Sequence, residues 1–354
     1  MKRIIIGIGI VWVCTFGALS SLFAEETTVV LGGELEFEFV DSENDPTVKK
    51  PDPYFKIDQL YLYPKVTFGE NVILRADIAI KADTAIIEEV WGRFSGLPFN
   101  SWLEAGLNDM FIANIDRKLE NEILIETAFY RDDDMGIALG GEPVGGFYWK
   151  ASLTNGMKLG TKVFGEDTGT ATTILADLKS PDSAPRHLMA GFGTGFKWNM
   201  GGSAKIDLLP YYYSGKLTSS DVNFLQAIPG YGTATDDKKV RYGLNARYDV
   251  GKFTLIGQLL KSEDGVLDRR GWFMQPSIQV SSLEWVYRYS NLKIDLPADF
   301  TSSLTWDREQ HIFGVITKLS PGVKVKIEYA VNVEETGGRD ISDNEFLTQL
   351  EMIF

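Results

Sequence analysis

The stretch Val323-Lys324-Val325-Lys326-Ile327-Glu328-Tyr329-Ala330-Val331 is apolar at every odd position and, Ala330 apart, charged at every even one. Successive side chains of an extended strand leave opposite faces of the pleat, so this segment reads as a strand with one oily and one wet face. The same period of two returns along the chain. Val240, Tyr242, Leu244, Ala246, Tyr248 and Val250 alternate with Arg241, Gly243, Asn245, Arg247 and Asp249. Leu74, Ala76, Ile78 and Ile80 alternate with Arg75, Asp77, Ala79 and Lys81, and Leu35, Phe37 and Phe39 with Glu34, Glu36 and Glu38. Leu283, Trp285, Tyr287 and Tyr289 oppose Glu284, Val286 and Arg288, while Phe147, Trp149, Ala151 and Leu153 oppose Tyr148, Lys150, Ser152 and Thr154. Strands of globular domains usually run about 5–6 residues, whereas a tilted strand crossing a bilayer needs about 9–11, and these segments match the longer figure.

The connections alternate in kind. Short turns such as Gly69-Glu70-Asn71, Met200-Gly201-Gly202, Val250-Gly251-Lys252 and Ser320-Pro321-Gly322 separate some strands, and longer polar stretches (41–53, 180–186, 214–239 and 291–309) separate others. This is the pattern of an all-β, transmembrane, antiparallel up-and-down barrel, and at roughly 20 residues per strand with its connection it gives about 16 strands, with 14 and 18 as neighbours.

Composition narrows the class further. The 354 residues carry 35 Lys and Arg against 49 Asp and Glu, a formal charge of -14, so the nonspecific attraction to phosphate that nucleic-acid binders use has the wrong sign. Lys2 and Arg3, the apolar run 4–22 and Ala24 before Glu25 and Glu26 read as a signal peptide over 1–24, leaving 25–354 as one barrel domain with no marked linker. Its removal takes the charge from -14 to -16 and discards Cys14, the single cysteine, so no disulfide is expected. No segment after residue 24 approaches the ~20 apolar residues of a spanning helix.

The chain ends on alternating Phe346, Leu350, Met352 and Phe354, with Thr348 between them. A closing strand ending on an aromatic residue resembles the terminal signal of bacterial outer-membrane barrels, which implies Phe354 as the residue read by the barrel-assembly machinery. The alternative is an edge strand of a secreted sandwich. Closure has a physical motive, because an unpaired backbone group in hydrocarbon costs several kcal/mol.

Leu103-Glu104-Ala105-Gly106-Leu107 with Phe111, then Phe129-Tyr130-Arg131-Asp132 with Gly136, then Gly146-Phe147-Tyr148-Trp149 and Thr154-Asn155-Gly156, span about 55 residues. Together they resemble the central region of the phosphate-selective porin O and P family. The resemblance implies a 16-stranded porin, usually trimeric, with anion selectivity carried by lysine and arginine clusters. The corresponding constriction loop here, 112–122, departs from that pattern: Asp116, Glu120 and Glu122 stand beside Arg117 and Lys118.

Chemistry beyond passage of solutes finds little support in the residues. His187 and His311, the two histidines, lack metal-ligand spacing and a motif serine, and read as rim residues; His187 with Asp182 is the one pair that resembles a rim catalytic site. Asp132-Asp133-Asp134 lacks the glycine and closing glutamate of a calcium loop and reads as a solvated turn. Gly191, Gly193 and Gly195 precede no helix pattern, so they fit close strand packing or an open lumen rather than a nucleotide loop.

The charged inner faces carry the functional expectation. Arg75, Asp77, Lys81, Lys150, Arg241, Arg247, Arg288, Lys324, Lys326 and Glu328 are the pore-lining candidates, and Asp116, Arg117, Lys118 and Glu120 the constriction candidates. A dry core would make these charges costly unless paired, so water is expected around them. Asp41, Glu43, Asp45, Asp221, Asp236, Asp237, Asp340 and Asp343 fall on external loops. The expected protein is a cofactor-free, non-enzymatic outer-membrane porin passing small hydrophilic solutes or ions, with lipid around it and weak selectivity of either sign. A structural or adhesive barrel with a plugged lumen, and a barrel enzyme, are the alternatives.

Overall fold

The computed structural model describes residues 27–42, 53–81, 84–108, 118–129, 134–143, 145–163, 173–179, 187–201, 204–228, 231–232, 236–295, 304, 307–335 and 344–354. The expected signal peptide, Lys2, Arg3 and Cys14 included, lies outside them. Sixteen antiparallel strands close into a barrel, and two more form a separate hairpin. In chain order the wall holds β1 (Thr27–Ser42), β2 (Tyr54–Phe68), β3 (Val72–Lys81), β4 (Thr84–Leu97), β5 (Ser101–Asn108), β6 (Asp134–Gly141) and β7 (Phe147–Thr154). The chain then leaves the wall for β8 (Met157–Val163) and β9 (Thr173–Lys179). It rejoins as β10 (Met189–Asn199), which pairs directly with β7. The wall continues through β11 (Ala204–Lys216), β12 (Lys238–Val250), β13 (Phe253–Asp264), β14 (Leu267–Val280), β15 (Leu283–Asp295), β16 (Asp307–Ser320), β17 (Val323–Glu335) and β18 (Glu345–Ile353).

Closure is made by β1 against β18, in register from Glu34↔Ile353 to Ser42↔Glu345. One pair beyond, Gly33 and Phe354 exchange backbone hydrogen bonds of 2.9 Å in both directions. A Cβ on Gly33 would stand 2.4 Å from Phe354 Cζ, so the missing side chain is what lets the terminal ring lie flat on β1. The turns 69–71, 251–252 and 321–322, with Met200 and Gly201, lie at one end together with Thr27 and Phe354. Gly322 there adopts φ +76, and a Cβ on it would meet Ile353 O at 2.4 Å. At the other end the connections 43–53, 109–133, 155–188, 217–237, 296–306 and 336–344 are long, while Lys81 to Thr84 and Asp264 to Leu267 are tight.

Alternation sorts the wall as the period of two requires. Outward residues such as Leu208, Leu259, Ile278 and Ile327 remain exposed to the surroundings of the barrel. Aromatic residues gather near both rims, with Phe94, Trp198, Trp285 and Phe354 toward the short turns and Phe55, Tyr212, Tyr242, Trp272 and Phe346 toward the long loops. An apolar band between aromatic girdles is the outer surface of a bilayer-spanning barrel. No described helix is long and apolar enough to cross a membrane.

Candidate functional site within the lumen

The inner face is built by the partners of the lipid-facing residues. Leu259 is 55% exposed, yet Leu260, its neighbour on β13, is 3% exposed, so something other than water covers part of the interior. Three chain segments supply that cover. The loop after β5 carries a short helix, Leu124–Ala128, against β14, β15 and β16. The β8–β9 hairpin packs on that helix, and a second helix, Ser219–Ala227 in the β11–β12 connection, packs on β8. Ile125, Phe129, Leu159, Leu175 and Leu225 meet the inward Tyr211, Tyr213, Leu260, Phe273 and Leu292 in one buried apolar cluster. The lumen therefore has a packed side, along β11 to β16, and a side along β1 to β5 that the described insertions leave less covered.

Charges in the packed side are paired tightly, as burial demands. Asp177 of β9 accepts from Arg241 Nε and Nη2 at 2.8 and 2.6 Å and from Arg269 Nη2 at 2.7 Å. Asp264 ion-pairs with both guanidiniums at 2.9 Å, and all four side chains are fully buried. Burial alone would raise the Asp177 pKa, but the Arg241 and Arg269 guanidiniums reverse the sign and hold it well below the usual carboxylate range. Asp221 closes a capping box with Thr218 at the start of the second helix, accepts the Leu159 N–H at 2.7 Å and pairs with buried Lys239 at 3.3 Å. One carboxylate thus caps a helix and holds the hairpin to the wall. Exposed Asp237, by contrast, is lowered by a hydrogen bond from Lys216.

The described part of the constriction candidate, from Lys118 onward, reaches the wall at mid-height. Glu328 accepts the backbone N–H groups of Glu120 and Asn121, at 2.5 and 3.1 Å. Glu120 pairs with Lys326 at 3.2 Å, Lys118 pairs with Glu284 and donates to Ser277, and Arg288 donates to Asn121 O. Leu119 fills the space over Gly314, where a Cβ would meet its Cδ2 at 2.3 Å. Asp116 and Arg117 lie outside the described residues.

On the less covered side Arg75 binds Asp77 at 2.7 Å and Arg93 binds Glu104 at 2.6 Å, with the two arginine side chains 39% and 33% exposed. Arg93 is sandwiched between Trp91 and Trp102, at 4.8 and 4.5 Å from their ring centroids. Lys324 pairs with Glu351 and Arg247 with Asp249. Lys150 lies on the same face of β7 as Tyr148, and the side chain of Lys81 is outside the described residues.

Several expectations need correction. Water was expected around every inward charge, but Arg241, Arg288 and Glu328 are buried, because the loop and hairpin replace solvent with carboxylates, carbonyls and amides. Asp221 belongs to the buried interior and not to an exposed loop. Asp134 is no solvated turn residue: it begins β6, is 4% exposed and accepts the Gly156 N–H at 2.7 Å; Asp132 and Asp133 lie outside the described residues. His311 projects from the outer face of β16 near the long-loop end, with Nδ1 2.8 Å from Tyr287 Oη; His187 is exposed before β10, and Asp182 lies outside the described residues. The glycine run serves close packing, since Cβ atoms on Gly191 and Gly195 would strike the rings of Tyr213 and Tyr148 at 2.2 and 1.9 Å. Sequence reasoning missed Asp177, Asp264, Arg269 and Lys239; the one signal available was the alternation of Ile174, Ala176 and Leu178 with Leu175 and Asp177 on a segment shorter than a spanning strand.

Of the residues that carry the family resemblance, Leu103–Leu107 form the middle of β5 and Phe147–Thr154 form β7, while Gly156 turns the chain inward at φ +80. Phe111, Tyr130, Arg131 and Asp132 lie outside the described residues. No protein-family model matches the chain. No curated protein matches it in sequence. Solved structures do match over nearly the whole length. The outer membrane protein OmpT of Vibrio cholerae, in a trimer form, superposes with a TM-score of 0.61 at 12% identity, covering 93% of this chain and 100% of that one. OmpF of Salmonella typhi, in complex with daunomycin, gives 0.61 at 10% identity over 92% and 97%. An anion-selective porin from Comamonas acidovorans gives 0.58 at 13% identity over 93% and 100%. The fold is that of the 16-stranded outer-membrane porins.

Proposed function

We propose that the protein is an outer-membrane porin, a passive and cofactor-free diffusion channel for small hydrophilic solutes or ions. The observation that carries this reading is the charged inner wall along β1 to β5, where Arg75 and Arg93 remain 39% and 33% exposed inside a closed barrel. Partly solvated charges within a ring of strands line an aqueous path, and a path bounded by both signs favours polar over apolar solutes. The porin architecture of the neighbours supports the same reading, and the trimer form of the Vibrio cholerae protein supports a homotrimer. Phosphate selectivity, which the resemblance implies, is left unsupported: the loop segment in the lumen presents Glu120 and Glu122 together with Lys118.

The buried apolar cluster in the lumen favours a second reading, a barrel plugged by its own loops that serves a structural or adhesive role. Swelling of proteoliposomes in isotonic sugar separates the two. A diffusion channel gives swelling rates that fall as the sugar grows larger, and a plugged barrel swells no faster than protein-free vesicles.

A further inference from the structure

Inward aromatic rings have different surroundings on the two sides of the lumen. On the packed side Tyr211, Tyr213 and Phe273 are buried in the cluster beneath the hairpin and helices, where their apolar area is removed from water. On the less covered side Tyr61, Tyr63, Trp91 and Trp102 face the same interior but are only partly buried.

These four rings and two arginines form one continuous series. Trp102, beside the turn 98–100 at the short-turn end, lies flat on Gly140, where a Cβ would stand 2.3 Å from Cζ2. Arg93 Cζ is 4.5 Å from a ring centroid of Trp102 and 4.8 Å from that of Trp91. Trp91 is the direct register partner of Arg75 across β3 and β4, and Arg75 Cζ lies 5.8 Å over the Tyr63 ring. Tyr63 stacks with Tyr61 at 5.7 Å and 16°. Tyr61 in turn stands two residues from Gln59, whose amide donates to Glu36, and carboxylate oxygens of Glu36 and Glu120 lie within 4.8 Å. The series therefore climbs diagonally over β5, β4, β3 and β2, from the short-turn rim to the level of the constriction segment.

Its charges are matched locally. Asp77 accepts from Arg75 Nε and Nη2 at 2.9 and 2.7 Å, and Glu104 holds Arg93 Nε and Nη2 at 2.8 and 2.6 Å. The polar edges of the rings are tied as well, Trp91 Nε1 to Glu89 at 2.6 Å and Tyr63 Oη to Glu34 at 2.9 Å. Each guanidinium is thus oriented and neutralised by its own carboxylate, so neither an anion nor a cation gains an unpaired counter-charge from these pairs. A flat aromatic solute would find ring faces but would leave the oriented donors and acceptors unused. A neutral pyranose uses both, because its C–H faces lie on aromatic rings while its hydroxyls give to carboxylates and accept from guanidiniums.

We propose that this series is a saccharide track, along which neutral sugars pass from ring to ring between the constriction segment and the short-turn rim. This rests on the diffusion-channel reading and names the class of solute it serves.

The test is block of ion current through folded, heat-modifiable protein in a planar bilayer, titrated with maltotriose and, in parallel, with polyethylene glycol of the same size, which has no ring face. Maltotriose should reduce the current saturably, and polyethylene glycol only in proportion to its concentration. Trp91→Leu and Trp102→Leu keep apolar bulk and remove the flat face. Each should raise the half-blocking maltotriose concentration by roughly three- to tenfold, the worth of one aromatic contact. Trp198→Phe, on the outer face of the barrel, should leave it unaltered. Three results would overturn the track while sparing the diffusion channel: no saturable block of the wild type, the same form of block by polyethylene glycol, or a half-blocking concentration unmoved in both leucine variants. If the leucine variants fail to fold, the wild-type comparison of the two probes decides alone. Folded protein that gives no channels at all would overturn both readings.

Discussion

Asp177→Ala should release the β8–β9 hairpin from the lumen. The carboxylate accepts three charge-assisted hydrogen bonds, at 2.8, 2.6 and 2.7 Å, from two guanidiniums that are themselves fully buried. Without it, Asp264 alone faces Arg241 and Arg269, leaving one negative charge for two positive ones in a water-excluded site. Removing one partner of a buried charge pair costs about 3–5 kcal/mol. Undocking the hairpin lets water reach both arginines, so this energy acts on the docking equilibrium, which should shift by roughly two to four powers of ten. The chain has a single cysteine, Cys14, within the expected signal peptide, so an introduced thiol in the exported protein is read without background. Ala176, fully buried beside Asp177, is the reporter position. Ala176→Cys should resist a membrane-impermeant thiol reagent in the otherwise native barrel and react readily once Asp177→Ala is added, with a rise in single-channel conductance. The Asp177 pKa is depressed in the folded state, so its contribution is fully present above its unfolded value near 4 and disappears only as pH falls through the lower folded value. Protection of Ala176→Cys should therefore be equal at about pH 8 and pH 5. Equal protection of the reporter with and without Asp177, at unchanged conductance, would refute the latch.

Two further outcomes follow from the wall. Phe354→Ala, and Gly33→Val, which drives a side chain into the Phe354 ring only 2.4 Å from a Cβ at that position, should each reduce the heat-modifiable band in outer membranes without altering export; undiminished folding of both would remove the role given to the terminal pair. Leu62→Cys, on the outward face of β2, should be shielded from a water-soluble thiol reagent while Lys65→Cys, on the face shared with Tyr63, reacts; equal labelling would contradict the strand register.

The wall was legible because lipid outside and polar groups inside write a period of two into every long strand. Val323 to Val331 already contains the rule, and Phe354 marks where the barrel closes. What fills the lumen was not legible, since an inward arginine looks the same in sequence whether water or a carboxylate faces it. Arg75 and Arg241 occupy equivalent places in their alternating strands, yet one is 39% exposed and the other fully buried, and the difference is made by Asp177, a residue 64 positions before Arg241. Short strands such as Met157–Val163 also lack the length that distinguishes a membrane-crossing segment, so the hairpin was hidden among connections. Asp221 was misplaced for a related reason: a helix-capping aspartate and a surface-loop aspartate share the same polar neighbourhood in sequence.

The central claim is that water and small ions cross this barrel along its β1 to β5 side despite the inserted loop and hairpin. Single-channel recording of the purified, heat-modifiable protein in a planar bilayer at symmetric KCl addresses it most directly. Discrete conductance steps, proportional to voltage and absent from refolding buffer alone, are the predicted result. Folded protein that inserts but leaves the bilayer at its baseline conductance would contradict it and identify the barrel as closed.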